Sequence, residues 1–161
     1  MQFPNLQATN LNGDRLMLPT DFAGQYNLLL IAFQQWQQSS VDTWLPFAEQ
    51  LEDNLPGFHY YELPTIRKLN FLARSFIDAG MRAGIPDQDI RGRTITLYLD
   101  KGEFRRRLNI QDETHIHLLL VDRKGNILWR GRGEYSLAGA DSLLKQLAEI
   151  QHQPDKAVET P

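Results

Sequence analysis

The chain has no cysteine among its 161 residues. That absence excludes disulfides, thiolate nucleophiles and thiolate-held metals together, because each of them needs the sulfur anion. It does not fix a compartment. Long apolar runs are also missing. The longest, residues 28–33, falls far short of the roughly 20 residues that a membrane-spanning helix needs. The opening Met1-Gln2-Phe3-Pro4-Asn5 lacks the positive and apolar regions of a secretory signal, and it is not an Arg-rich transit peptide. The expectation is a cytoplasmic protein with no transmembrane segment. Basic charge is scarce at first: residues 1–66 hold only Arg15 against seven acids. Residues 67–107 reverse this, with ten basic residues against five acids. A basic middle can serve an anionic partner. The plainer reading is a set of solvated helix faces.

What is present points to a folded α/β chain. Apolar residues make up 42% of the sequence, enough for one domain with a true core, expected over residues 1–150. Asn12-Gly13-Asp14 lies between two short alternating segments and predicts an N-terminal hairpin. Asp21-Phe22-Ala23-Gly24 reads as one helical turn stopped by glycine. Residues 26–33 read as a strand covered on both faces. Ser39 or Ser40 is placed to cap the helix that follows, with Asp42 in its first turn. Val41, Trp44, Leu45, Ala48 and Leu51 recur at helical spacing, and Pro46 should kink that helix.

Farther on, residues 58–63 predict a second central strand. Residues 66–81 predict a helix burying Leu69, Leu72, Ala73, Phe76, Ile77 and Met81 on one face. Residues 94–99 favour β structure and residues 104–108 a short helix. Residues 117–130 read as a hairpin around a polar turn, and Leu143, Leu144, Leu147 and Ile150 mark a closing helix. Residues 151–161 read as a disordered tail. Alternating strands and helices predict parallel crossovers, and the late hairpin predicts antiparallel strands at one edge.

This order of elements resembles the thioredoxin-like superfamily, over residues 3–150. Within it the peroxiredoxin and thiol-disulfide-reductase branch is the most similar. Phe3-Pro4 through Phe22 resembles that branch's N-terminal hairpin. Residues 28–33, Trp36 and Pro46 resemble its first central strand, active-site tryptophan and kinked helix. Residues 117–127 resemble its "T-F-L-I-D-x-x-G-x-I" hairpin. The chain is also similar to the thioredoxin-like assembly factor of mitochondrial ATP synthase. That match rests on Phe33, Trp36, Trp44 and Pro46-Phe47, then residues 118–122, Gly125, Ile127 and Trp129-Arg130. The resemblance implies an α/β fold with a central mixed sheet flanked by helices.

The departures carry the functional reading. Aligning Trp36 with the family tryptophan puts Gln37 and Ser40 where the two cysteines would stand. Neither supports thiol–disulfide exchange, which needs a thiolate attacking sulfur. The family's cis-proline falls near Thr114 or Ile116, and no proline lies between Pro86 and Pro154. The reading is therefore a redox-inactive protein that binds a protein or peptide segment without covalent chemistry, as an assembly or chaperone-like factor. Trp36, Gln35, Gln38, His115 and Ile116 are the candidate binding residues, and no cofactor is expected.

Two other readings stay open. One is an enzyme of altered, non-thiol chemistry. Ser40 lacks a nucleophile elbow and a nearby base, so a cap is its plainer role. His115 and His117, two apart on a strand, face one way and could hold a metal with Asp112 or Glu113, although no third ligand has diagnostic spacing. The other is an anionic-partner site at Arg105, Arg106 and Arg107. No aromatic interleaving accompanies these arginines, so nucleic acid is not expected.

Overall fold

The computed structural model describes residues 1–69 and 71–152, with Phe71 described by its backbone alone. Seven strands form one sheet: β1 Leu6–Asn10, β2 Arg15–Leu18, β3 Tyr26–Ala32, β4 Phe58–Arg67, β5 Ile95–Leu99, β6 His117–Val121 and β7 Ile127–Arg132. Five helices accompany them: α1 Gln38–Asn54, α2 Phe71–Gly84, α3 Gln88–Arg93, α4 Lys101–Arg107 and α5 Leu137–Gln151. The strand order is β2-β1-β5-β4-β3-β6-β7. β3, β4 and β5 run parallel, and antiparallel hairpins close both edges. The expected mixed sheet, N-terminal hairpin and late antiparallel edge are all present.

β3 is apolar from Leu28 to Ala32 because both of its faces are covered. Leu28 and Leu30 point into a core formed with Val41, Trp44, Ala48 and Leu51 of α1 and Leu143 and Leu147 of α5. Leu29 and Ile31, one step out of phase, point into the opposite core with Phe3, Phe22, Phe104 and Leu97. Trp44 anchors the first core. Its indole Nε1 donates to the Gly133 carbonyl at 2.9 Å, Phe47 and Tyr135 each meet the ring edge-on, and those two rings tilt against each other.

The late hairpin turns on Asp122, whose carboxylate accepts the backbone N–H groups of Lys124 and Asn126. Gly125 takes a φ of +88°, and a Cβ there would approach Pro19 Cγ to 2.9 Å and the Phe3 carbonyl to 3.1 Å. Those two constraints explain the Asp and Gly of the turn.

Several expectations are corrected. Residues 21–24 form hydrogen-bonded turns and bends, not a helical turn, and Gly24 is held by both ends of the buried Asn27 amide. α1 begins earlier than expected, directly after a 3-10 turn at Gln35–Gln37, so Ser39 and Ser40 lie inside its first turn and cap nothing. Pro46 lies inside α1 as expected, on its exposed side, and the helix is continuous through it. Ile66 and Arg67 belong to β4, where they pair with Tyr98 and Leu99, so α2 starts at Phe71. The apolar stripe of α2 is divided. Ala73, Ile77 and Met81 are half-buried, while Leu72 and Phe76 are 79% and 82% exposed. The apolar positions of this helix are too broad an arc for one line of contact. α3 had no expectation behind it, and α4 begins three residues before Phe104 because Asp100 caps it. Of the expected tail, Gln151 ends α5 and His152 is a turn; residues 153–161 lie outside the described residues.

Replacing Trp44 by alanine should lower stability by about 3 to 5 kcal/mol, through lost burial and the orphaned Gly133 carbonyl. Chemical denaturation checks this, and a loss below about 1 kcal/mol would contradict the packing described.

Candidate functional site

The carboxyl end of β3 leads into the loop of interest. Phe33 is buried, the chain bends at Gln34, and the 3-10 turn follows. Two neighbours in that turn then face opposite ways. Trp36 stands 64% exposed, whereas Gln37 is completely buried. The Gln37 Oε1 accepts the N–H of Phe33 at 2.8 Å and that of Gln34 at 3.2 Å. Its Nε2 donates to the Glu113 carbonyl at 2.6 Å. One neutral amide therefore ties the loop after β3 to the loop before β6. Gln37, between the candidate binding residues Trp36 and Gln38, presents no surface of its own.

A second tie runs parallel to this one. Lys101, at the start of α4, donates its Nζ to the Phe33 carbonyl at 2.7 Å and meets Glu113 Oε1 at 2.7 Å. Arg105, one helical turn on, lies 3.5 Å from Glu113 Oε2 and donates to the Gln111 carbonyl. The expected Arg105–Arg107 cluster is thereby split. Arg105 is part of this frame, while Arg106 and Arg107 are exposed; consecutive helical residues diverge by about 100° and share no face.

The loop before β6 carries the histidines. His115 lies in a bend outside β6, half exposed, and His117 opens the strand nearly buried, so the pair does not share a strand face. Both turn towards Asp112: His115 Nδ1 is 3.5 Å from its Oδ1, and His117 Nε2 is 3.2 Å from its carbonyl. Thr114 donates its hydroxyl and its N–H to the same Oδ1. These bonds, the Thr114 hydroxyl first, hold the Asp112 carboxyl down to about 2. Burial pushes the His117 imidazole below its usual value. Among the described residues no three His, Asp or Glu side chains are placed to hold a metal ion. Ile116 is fully buried and its carbonyl accepts the N–H of Gly133, so it leaves the candidate binding surface.

On the other side of Trp36, Gln35 and Gln38 are exposed, as binding residues must be. The Gln38 Nε2 donates to Asp42 Oδ1 at 2.9 Å and to Glu62 Oε1 at 3.0 Å. Glu62 is a carboxyl inside a central strand, and burial pushes its pKa up. The sequence reading missed it, although a lone acid within Tyr60-Tyr61-Glu62-Leu63-Pro64 was the available signal. Ser39 donates its hydroxyl to the Trp36 carbonyl, and the Ser40 carbonyl accepts from the Thr43 hydroxyl. No base approaches Ser40 among the bonds described, which leaves a serine nucleophile without support. Glu113 was weighed only as a metal ligand and Lys101 only as a basic residue; no local signal could have found their tying role, because the bonds from Lys101 to Phe33 and from Gln37 to Glu113 join residues 68 and 76 apart.

This arrangement was compared with known proteins. No family model matches the chain, and no curated protein does. Solved structures do. An exposed lipoprotein thioredoxin from Streptococcus pneumoniae superposes with a TM-score of 0.56 at 14% identity, covering 91% of this chain and 99% of that one. The putative thiol:disulfide interchange protein DsbE from Chlorobium tepidum gives 0.55 at 17% identity, over 92% and 94%. A thiol:disulfide interchange protein from Bacteroides sp. gives 0.53 at 19% identity, over 98% and 93%. The fold is thioredoxin-like. These neighbours bear the names of thiol-disulfide proteins, and the present thioredoxin-like chain has no cysteine with which to perform that exchange.

Two outcomes follow from the site. Gln37→Ala leaves one buried and one part-buried N–H group and one carbonyl without this partner and should cost about 2 to 4 kcal/mol by chemical denaturation; a neutral result would show that the amide is not a tie. The folded chain also binds His117's proton less readily than the unfolded chain does, because its pKa lies below the ordinary 6.5. The neutral ring's contribution is complete above pH 6.5 and is lost as pH falls from there to the lowered value. His117→Gln should flatten the stability profile in that window, and an unchanged slope would contradict this origin.

Proposed function

We propose that this thioredoxin-like chain is a redox-inactive binding protein, acting as an assembly or chaperone-like factor in the cytoplasm. It holds a segment of another protein without covalent chemistry. One observation carries the reading: the residue at the place of the first cysteine is turned inward and bonded at both ends of its amide, while its neighbour Trp36 projects into solvent. A thiol site needs its sulfur exposed to the partner. A binding site needs a rigid frame and an anchor, and an exposed indole supplies apolar area with one polar handle.

Gln35, Gln38 and His115 flank Trp36 in this reading: Gln35 offers an amide donor and acceptor to a peptide backbone, Gln38 its Oε1 acceptor, and His115 its ring. Glu113, Lys101 and Gln37 keep the two loops at fixed separation, which lowers the ordering cost of binding. The resemblance to the ATP synthase assembly factor supports the assembly role specifically. The likeness to solved structures supports the scaffold.

The test is site-specific photocrosslinking from position 35, compared between the native chain and Trp36→Ala. Trp36 makes no core contact, so the variant should keep its unfolding midpoint and lose its crosslinked partner bands. An identical set of bands in both proteins would overturn the proposal. Insulin reduction and peroxidase turnover should both be blank.

A further inference from the structure

α2 presents an apolar ridge that the binding site does not use. The helix attaches to the sheet on one side through polar contacts. Asp78 accepts the Tyr98 hydroxyl at 2.7 Å, Met81 Sδ meets the Thr96 hydroxyl, and Arg82 Nε donates to the Leu11 carbonyl at 2.8 Å. Leu72 and Phe76, four residues apart and so one above the other, stand on the other side at 79% and 82% exposure. Small residues continue the exposed face at Ala79, Gly80 and Ala83. Large apolar side chains this exposed at adjacent helical positions mark a surface that something covers.

The surrounding charge indicates what covers it. Arg67 and Lys68 are exposed just before the helix, and Arg74 and Arg82 are exposed within it. Arg74 lies over the Tyr98 ring with its guanidinium carbon 4.6 Å from the centroid. The single acid of α2, Asp78, is taken up by Tyr98. Arg74 therefore belongs to the sheet-facing side, while Arg82, about 100° round the helix from the crest, and the preceding Arg67 and Lys68 give the apolar ridge a cationic border. A like-charged second copy is disfavoured by the same cations. The two side chains stand on a convex helix, which suits a deformable surface better than a protein partner, where a matching cleft is required.

We propose that α2 docks this protein on an anionic lipid surface. Leu72 and Phe76 enter the headgroup boundary, and Arg67, Lys68 and Arg82 meet lipid phosphates or other anionic headgroups. This is the arrangement of an interfacial amphipathic helix. The docking is independent of the Trp36 site. α2 follows β4, which runs parallel to β3, so both features leave the sheet at its carboxyl edge. A docked protein would therefore present Trp36 from the membrane surface.

Vesicle flotation tests it, with the full chain and vesicles of phosphatidylcholine alone or mixed equally with phosphatidylglycerol. Binding is expected to the mixed vesicles only, and to weaken when salt rises from about 50 to about 500 mM. The double variant Leu72→Ser, Phe76→Ser should bind at least about tenfold more weakly, and Lys68→Glu should also lose binding. Leu137→Ser, at a 76% exposed leucine on α5, should bind as the native chain does. No flotation with anionic vesicles at low salt overturns the proposal. So does an equal loss from the Leu137 variant, or a dimer that the double variant abolishes without any vesicle binding in the native chain.

Discussion

A single buried amide organises the site of this protein. Gln37, which the resemblance aligns with the fold's first cysteine, uses its two ends to take up three backbone groups from loops that leave different parts of the sheet. The bond to Phe33 is buried and the other two are part-buried, so without the amide these groups would carry much of the cost of unmet hydrogen bonds. Its neutrality matters as much as its reach. A carboxylate there could not donate to the Glu113 carbonyl, and an ammonium could not accept from Phe33 and Gln34.

Around that amide the charged groups have taken structural posts. Glu113 is set between Lys101 and Arg105, and Lys101 also holds the carbonyl of Phe33. Asp112 is occupied by Thr114 and the histidines. Side chains that look like catalytic equipment in a linear sequence are thus spent on fixing loops. Trp36 is left as the prominent group facing outward, which is why recognition follows from this geometry more readily than chemistry.

Local patterning made most of the fold legible. The run of leucines in β3, the Asn-Gly-Asp hairpin, the Asp122–Gly125 turn and the stripe of α1 each record a contact made by that segment itself. The errors arose where the deciding contact was distant. Nothing near Gln37 announces Glu113, so a buried tie read as part of a polar loop. The Ser39-Ser40 pair reads as a cap until the 3-10 turn is known to start the helix earlier. α2 reads as buried because periodicity reports an apolar arc without reporting what lies against it, and Leu72 and Phe76 proved to face solvent.

The central claim is that Gln37 is a tie and not a surface residue, and side-chain amide hydrogen exchange by NMR tests it most directly. The account predicts that the Gln37 Nε2 protons exchange far more slowly than those of the exposed Gln34 and Gln35. Exchange as fast as in those two glutamines would place the Gln37 amide in solvent and contradict the account.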